Sequence, residues 1–139
     1  MTWQILKGAS SIPITLFKAT ADLDTGSIYL QHHIALQGYE LVKELRAMQA
    51  QATMALWLAC FDRYSEVVAG AQPQLGEARH YRRRRPADSR LDHERSLADQ
   101  FNLRRVVDNQ RHPAFFEWRA RRYVGFPRFC GQLLRKPAH

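Results

Sequence analysis

The chain has 139 residues, of which 45% are hydrophobic, a formal net charge of +8 and two cysteines. This length and composition predict one domain, or part of one, with a real hydrophobic core, and they exclude a disordered chain. No membrane span is expected, since no run of about 18 uncharged apolar residues occurs. No signal peptide is expected either, since the N-terminus lacks a basic region followed by an apolar one. Cys60 and Cys130 are far apart and outside any Cys-x-x-Cys pattern, which disfavours a disulfide framework or a zinc site and favours a cytoplasmic location.

The charge is distributed unevenly along the chain. Residues 1–70 hold five Lys/Arg and six Asp/Glu, a net −1, whereas residues 71–139 hold sixteen and seven, a net +9. A basic half can bind an anionic partner such as RNA or a nucleotide. It can equally be an arginine-rich surface in contact with solvent, which is the commoner case for a single run of charge.

The first residues predict the end of a helix that begins further upstream. Trp3, Ile5 and Leu6 form an apolar cluster, and Gly8 follows at the position typical of a helix C-cap.

A strand–loop–strand unit comes next. Residues 12–17 and 27–34 are rich in β-branched and large apolar side chains, and they predict two strands joined by the loop at residues 19–26. Asp22 and Asp24 lie in this loop, where a rigid frame can hold a catalytic carboxylate. An Asx-type turn, in which Asp24 caps its own backbone, explains the same residues without any function.

A single helix is predicted from Tyr39 to about Val68 and closed by Gly70, with a length of roughly 45 Å. Its expected buried stripe comprises Leu41, Leu45, Met48, Ala52, Ala55 and Ala59, widened by Val42 and Leu56. Met54 and Trp57 are interpreted as packing residues, and Cys60 as an inert buried thiol. His32 and His33 are adjacent in a strand and point to opposite faces, so no metal site is expected.

The second half begins with a loop at residues 71–80, which contains a short extended piece at 78–81, and continues with the arginine run at 82–85. Ser96 and Asp99 form a capping-box pattern that predicts a helix to about Asp108. The expected apolar side of this helix consists of Leu97, Phe101, Leu103, Val106 and Val107. His112-Pro113 ends it, a strand is predicted at 114–119, and the tail from Val124 is broken by Gly and Pro.

Several segments carry a resemblance in their order and spacing. They are Trp3-Gln-Ile-Leu-Lys-Gly8, Ile14-Thr-Leu-Phe17, Leu23-Asp-Thr-Gly-Ser-Ile28, Arg82-Arg-Arg-Arg-Pro-Ala-Asp-Ser-Arg-Leu-Asp92, Phe101-Asn-Leu-Arg-Arg-Val-Val107 and Pro113-Ala-Phe-Phe116. Together they resemble the C-terminal half of the catalytic domain of the folate-dependent formyltransferases, over residues 3 to 123. The family includes methionyl-tRNA formyltransferase and the sugar-nucleotide N-formyltransferases, and the last three segments resemble the sugar-nucleotide branch.

The resemblance implies an α/β fold, a partial Rossmann-like formyltransferase domain with a strand–loop–strand unit and a long helix. It divides the chain into residues 1–76 in this domain, 77–123 as linker and start of a small α+β C-terminal subdomain, and 124–139 as a divergent tail. It also implies transfer of a formyl group from 10-formyltetrahydrofolate to an amine, with folate and that amine as partners and no membrane partner.

For the site, the resemblance implies that Asp24 is catalytic and that Arg82, Arg83 and Arg84 bind substrate. The folate-binding residues that it implies are Ala19, Thr20, Ala21, Asp22 and Leu23. The family also uses an Asn and a His from an Asn-x-His-x-Ser-Leu-Leu-Pro segment, which has no counterpart here. The chain is therefore expected to be an incomplete, inactive fragment that lacks an N-terminal half. The alternative is a non-catalytic basic module that binds RNA or another polyanion, although a nucleic-acid partner is not expected.

Overall fold

The computed structural model describes residues 1–22, 25–76, 80–107 and 113–124. The chain divides into two compact units that alternate along the sequence. One unit, here the first unit, comprises residues 1–9, 38–42 and 81–139, and the second unit comprises residues 10–37 and 43–80. The sequence predicts a different division, in which residues 1–76, 77–123 and 124–139 follow one another along the chain. That division concerns the domains of the family, and it stays a prediction.

The second unit is built on an antiparallel pair of strands. Strand β1 (Ser11–Phe17) pairs with β2 (Ile28–Ala35), and a β-bulge lies between Leu16 and Phe17. Ile12 and Ile34 are directly opposite each other and both are buried, at 3% and 6% exposure. The predicted strand–loop–strand unit is confirmed, because both strands form at the expected residues and pair with each other.

The prediction of one continuous helix over residues 39–68 is wrong. The structure has α2 (Val42–Asp62) and α3 (Tyr64–Ala69), separated at Arg63, whose φ of −126° and ψ of 40° are not helical. Gly70 ends α3, as predicted. At about 1.5 Å per residue α2 is roughly 31 Å long rather than 45 Å.

The buried stripe of α2 also differs from the predicted one. It consists of Leu45, Ala52, Leu56 and Cys60. Ala55 is exposed, whereas Cys60, interpreted as an inert packing residue, is buried at 4% exposure. Two faces of this helix carry apolar residues, and periodicity alone does not identify the one that is buried.

The first unit begins with the short helix α1 (Thr2–Leu6). Gly8 has a positive φ of +73°. Its N–H donates to the Ile5 carbonyl at 2.9 Å, and the N–H of Ala9 donates to the Gln4 carbonyl at 3.0 Å. These two bonds are those of a Schellman cap, which confirms the predicted role of Gly8.

Helix α4 (Leu97–Arg105) begins at the predicted cap. The Asp99 N–H donates to Ser96 Oγ at 3.1 Å, and the Ser96 hydroxyl donates to the Asp99 carboxylate at 2.7 Å. Leu103, Val106 and Val107 are buried as predicted. The prediction is wrong for Leu97 and Phe101, which are 84% and 43% exposed.

The rest of the first unit is a 3₁₀ turn and a hairpin. The turn spans Pro86–Ser89, and β3 (Phe115–Trp118) pairs with β4 (Arg121–Val124) in antiparallel register. The predicted strand at 114–119 is thus confirmed. Residues 78 and 79 of the predicted extended piece, residues 108–112 and the tail from 125 onward lie outside the described residues.

The fold is therefore mixed α/β, with two separate two-stranded antiparallel sheets in the described ranges. None of the helices within those ranges is long and apolar enough to cross a bilayer.

Candidate functional site

The loop between β1 and β2 is closed at its base by a close approach of two backbones. The Lys18 N–H donates to the Ser27 carbonyl at 2.9 Å. A Cβ atom on Gly26 would lie 1.7 Å from the Lys18 carbonyl oxygen, far inside van der Waals contact. Any other residue at position 26 would push the two sides of the loop apart, so glycine is required here for space.

A second segment of the same unit holds the exit of the loop. Ile28 and Gln72 exchange two backbone hydrogen bonds, at 2.7 and 3.0 Å. The Gln74 side-chain amide donates to the Gly26 carbonyl at 2.7 Å. The loop is therefore fixed by strand pairing on one side and by residues 72–74 on the other.

A chain of hydroxyl groups crosses the loop above its base. The Thr20 hydroxyl donates to the Asp22 carbonyl at 2.9 Å and lies 2.9 Å from the Thr25 hydroxyl, which is itself 3.3 Å from that carbonyl. One hydroxyl can donate to the carbonyl while the other donates to the first hydroxyl. These hydrogen bonds connect residues that precede and follow Asp24, the predicted catalytic residue, in the sequence.

Four of the predicted folate-binding residues lie on the exposed part of this loop. They are Ala19, Thr20, Ala21 and Asp22. Leu23 and the predicted catalytic Asp24 lie outside the described residues. The assignment of these six residues to a site accordingly stays a prediction.

Arg82, predicted to bind substrate, forms a bidentate pair with a carboxylate of its own unit. Its two terminal nitrogens donate to Asp88 at 2.7 and 2.5 Å, and the Arg85 N–H donates to the same carboxylate at 2.6 Å. The bonds from Arg82, then the one from Arg85, hold the pKa of Asp88 well below its usual range. The bond to Asp88 likewise raises the pKa of Arg82.

Arg84 turns toward the backbone and Arg83 toward solvent. Arg84 is partly buried and donates to the carbonyls of Val106 at 3.3 Å and Asp88 at 3.0 Å. Burial lowers the pKa of the Arg84 guanidinium. Arg83 is exposed, and its guanidinium makes no bond or ion pair with the described residues. Among the three predicted arginines, Arg83 is the most available for an external anion.

A cleft of about 380 Å³ lies beside Arg82 in the first unit. Trp3, Leu6 and Leu103 supply its apolar wall. Its charged lining consists of Arg82, Arg90, Arg95, Asp88, Asp92 and Asp99. Three cations and three anions balance, so the cleft does not present a concentrated positive field. No group of His, Cys, Asp and Glu side chains in the described part of the chain is arranged to hold a metal ion.

Sequence reasoning missed three residues that shape the loop. Lys18 and Gln74 act through a backbone carbonyl and a side-chain amide, and neither has a local sequence signal. Thr25 had one, because it belongs to the Leu-Asp-Thr-Gly segment. Its hydroxyl, next to the predicted catalytic Asp24 in the sequence, forms hydrogen bonds across the loop.

No family model matches the sequence. Solved structures do match its fold. The methionyl-tRNA formyltransferase from Clostridium thermocellum matches 99% of this chain and 60% of its own length, at 22% identity and a TM-score of 0.63. A Mycobacterium tuberculosis protein assigned as a sugar N-formyltransferase matches 99% of this chain and 59% of its own, at 19% identity and a TM-score of 0.67.

HypX from Aquifex aeolicus, solved in complex with tetrahydrofolic acid, matches 91% of this chain and 22% of its own length, at 15% identity and a TM-score of 0.64. At these identities the matches establish the fold, and the predicted formyltransferase fold is confirmed. The chain spans about 60% of the length of the Clostridium enzyme.

Proposed function

We propose that this chain supplies the Asp24-bearing loop of a folate-dependent formyltransferase and that it needs a second polypeptide segment to act. The observation that carries the proposal is the rigid closure of that loop by Gly26, Thr20, Thr25 and Gln74. The closure occurs within a fold that matches formyltransferases along almost the whole chain. A loop fixed at both ends is what a positioned carboxylate requires.

In formyl transfer an amine nitrogen attacks the formyl carbon of 10-formyltetrahydrofolate and forms a tetrahedral oxyanion, which then expels the folate nitrogen. A base must take the amine proton, and hydrogen-bond donors must stabilise the oxyanion. In this proposal Asp24 orients a histidine or accepts the proton, and the loop backbone at residues 19–23 lines the pterin site. Tetrahydrofolic acid in the HypX complex supports a folate ligand for this fold.

The Asn and His that the family resemblance implies are absent from the 139 residues. We infer that an N-terminal half outside these 139 residues supplies them and adds strands to the sheet. Support comes from β1, which pairs only with β2 among the described residues, and from a groove of about 310 Å³ lined by residues 13–16 and by α2. A two-stranded ribbon is marginally stable without further partners.

For the acceptor we favour an amino-sugar nucleotide over methionyl-tRNA. The arginine-run segment resembles the sugar-nucleotide branch, and Arg83 is available for a phosphate. The competing basic module has less support, because Arg82 and Arg84 are bonded within their own unit and the adjacent cleft is balanced in charge.

The test is turnover of 10-formyltetrahydrofolate with a panel of amino-sugar nucleotides. The chain alone should give none. The chain fused behind the Asn- and His-bearing half of a sugar N-formyltransferase should give turnover that Asp24→Asn abolishes. Turnover by the isolated chain that Asp24→Asn removes would show that no second segment is needed. An inactive but folded fusion would count against a catalytic role for the loop.

A further inference from the structure

Two of the four arginines in the run at residues 82–85 are bonded within the first unit. Arg82 forms a bidentate ion pair with the Asp88 carboxylate, at nitrogen–oxygen distances of 2.7 and 2.5 Å. Arg84 donates to two backbone carbonyls at 3.3 and 3.0 Å. The other two, Arg83 and Arg85, are exposed, and neither guanidinium forms an ion pair with the described residues.

The backbone of the run is fixed at both ends. At its start the Trp3 Nε1–H donates to the Arg82 carbonyl at 3.1 Å, and the Arg82 guanidinium carbon lies 5.3 Å from the centre of the Trp3 ring. At its end the Arg85 N–H donates to the Asp88 carboxylate at 2.6 Å. Arginines that serve only to interact with solvent do not need an ordered backbone. A site that binds a ligand through few contacts gains affinity when its backbone is already ordered.

The side chains of Arg83 and Arg85 lie on the same side of the run. Arg84, between them, is directed toward the carbonyls of its own unit, and the backbone of Arg85 is extended, with φ −110° and ψ 162°. Successive side chains of an extended chain point in opposite directions, so residues two apart share a side, with Cα atoms about 6–7 Å apart. Two arginine side chains at this separation can reach the same small anion.

We propose that Arg83 and Arg85 together bind the diphosphate of a nucleotide-sugar substrate, with one guanidinium on each phosphoryl group. This assignment rests on the proposed formyltransferase function and adds the residues that recognise the charged part of the acceptor. A guanidinium is permanently charged, and its planar fork donates two bonds to one phosphoryl group. Binding of nucleic acid through its phosphates draws on many such contacts, whereas this run offers two.

The first test is isothermal titration calorimetry of the full chain with pyrophosphate and with orthophosphate. Pyrophosphate should bind at least about 10-fold more tightly, because it contacts both arginines. Arg83→Ala and Arg85→Ala should each reduce its affinity to about that of orthophosphate. Arg121→Ala is the matched control, since Arg121 is exposed in the same unit and lies outside the run. Circular dichroism should be equal in all four proteins.

Uridine diphosphate extends the first test to a nucleotide. It should bind at least as tightly as pyrophosphate, because the inferred ligand is a diphosphate that carries a nucleoside. The proposal would be overturned by equal affinities for pyrophosphate and orthophosphate, or by the absence of binding. Pyrophosphate binding that neither substitution weakens, or a site that excludes uridine diphosphate, would overturn it as well.

The second test uses the fusion with the Asn- and His-bearing half of a sugar N-formyltransferase. Arg83→Ala and Arg85→Ala should each raise KM for the amino-sugar nucleotide by about 10-fold or more and change kcat by less than about twofold, because both arginines bind a part of the substrate that does not react. An unchanged KM would show that the two arginines do not contact the substrate in the completed enzyme, and the proposal would fail. An inactive fusion that still binds pyrophosphate through both arginines would count against the proposed catalysis and leave the diphosphate site supported.

Discussion

The buried guanidinium of Arg105 donates to the carboxylate of Glu40 at 2.8 Å, across 65 residues of sequence. The two side chains are 3% and 7% exposed, and Arg105 also donates to the Glu40 carbonyl at 3.2 Å and to Asn102 at 3.0 Å. The Gly38 N–H donates to the same carboxylate at 3.1 Å. This ion pair connects Glu40, in residues 38–42, to α4 within the first unit, and three further hydrogen bonds support it.

We predict that Arg105→Met destabilises the chain strongly, because it leaves Glu40 buried without a cation. Breaking one side of a buried pair costs about 3–5 kcal/mol. The double variant Glu40→Leu/Arg105→Met should recover much of that loss, since no buried charge remains. Urea unfolding measures both. Arg95→Ala, at an exposed pair with 4.0 Å between charged atoms, is the control and should change stability by less than about 1 kcal/mol.

Gly26→Ala should destabilise the loop and the β1–β2 pair. The added methyl would lie 1.7 Å from the Lys18 carbonyl oxygen, so the backbones must separate, and we expect a loss of more than about 2 kcal/mol. Gly70→Ala is the matched control: its methyl would lie 3.2 Å from the Glu66 carbonyl, which needs only a small adjustment. Thermal unfolding distinguishes the two. Equal effects at both positions would show that the loop base is not closely packed.

The stabilising effect of Asp88 should depend on pH. Bonds from Arg82 and Arg85 depress the pKa of this carboxyl in the folded chain, so its contribution is present above the unfolded pKa of about 3.9. It is lost as the pH falls below that value toward the folded pKa. The stability difference between wild type and Asp88→Asn should be constant from pH 7 to 5 and shrink below about pH 4. A difference that grew in acid would contradict the assigned bonds.

In a restored enzyme, Asp24→Asn should remove activity by about 10²–10⁴-fold while leaving the melting temperature nearly unchanged. Asparagine keeps the size and the turn-forming hydrogen bonds of aspartate but loses its charge. Asp22→Asn on the same loop should cost far less, because the Asp22 carbonyl, not its side chain, accepts the bonds from Thr20 and Thr25. Equal losses of activity at the two positions, or a large fall in melting temperature at Asp24, would assign Asp24 to a structural turn.

The basic second half should not bind unrelated RNA at physiological salt. Arg82 is already paired and Arg84 is bonded to carbonyls, which removes two cations from any phosphate-binding surface. An electrophoretic shift assay at about 150 mM salt is expected to show no complex. A complex whose affinity falls steeply with salt, and falls further with Arg83→Ala, would support the polyanion-binding alternative.

The sequence determined the local structure wherever a few neighbouring residues are enough to specify it. Gly8 caps α1, the Ser96–Asp99 box begins α4, and runs of β-branched and large apolar residues form β1 and β2. The order of the Leu-Asp-Thr-Gly loop and the arginine-run segment also indicated the fold that the solved structures match. These signals depend on contacts between residues close in sequence, and such contacts can be inferred from a pattern.

Only the tertiary structure decided where long side chains and second apolar faces go. No Gly or Pro marks the break at Arg63, and two faces of α2 carry apolar residues, so periodicity placed the exposed Ala55 inside. In the same way, Arg105 and Glu40 look like surface charges until the fold brings them together and buries both. The physical reason is that burial of a charge or a helix face is set by distant partners, which contribute nothing to the local sequence pattern.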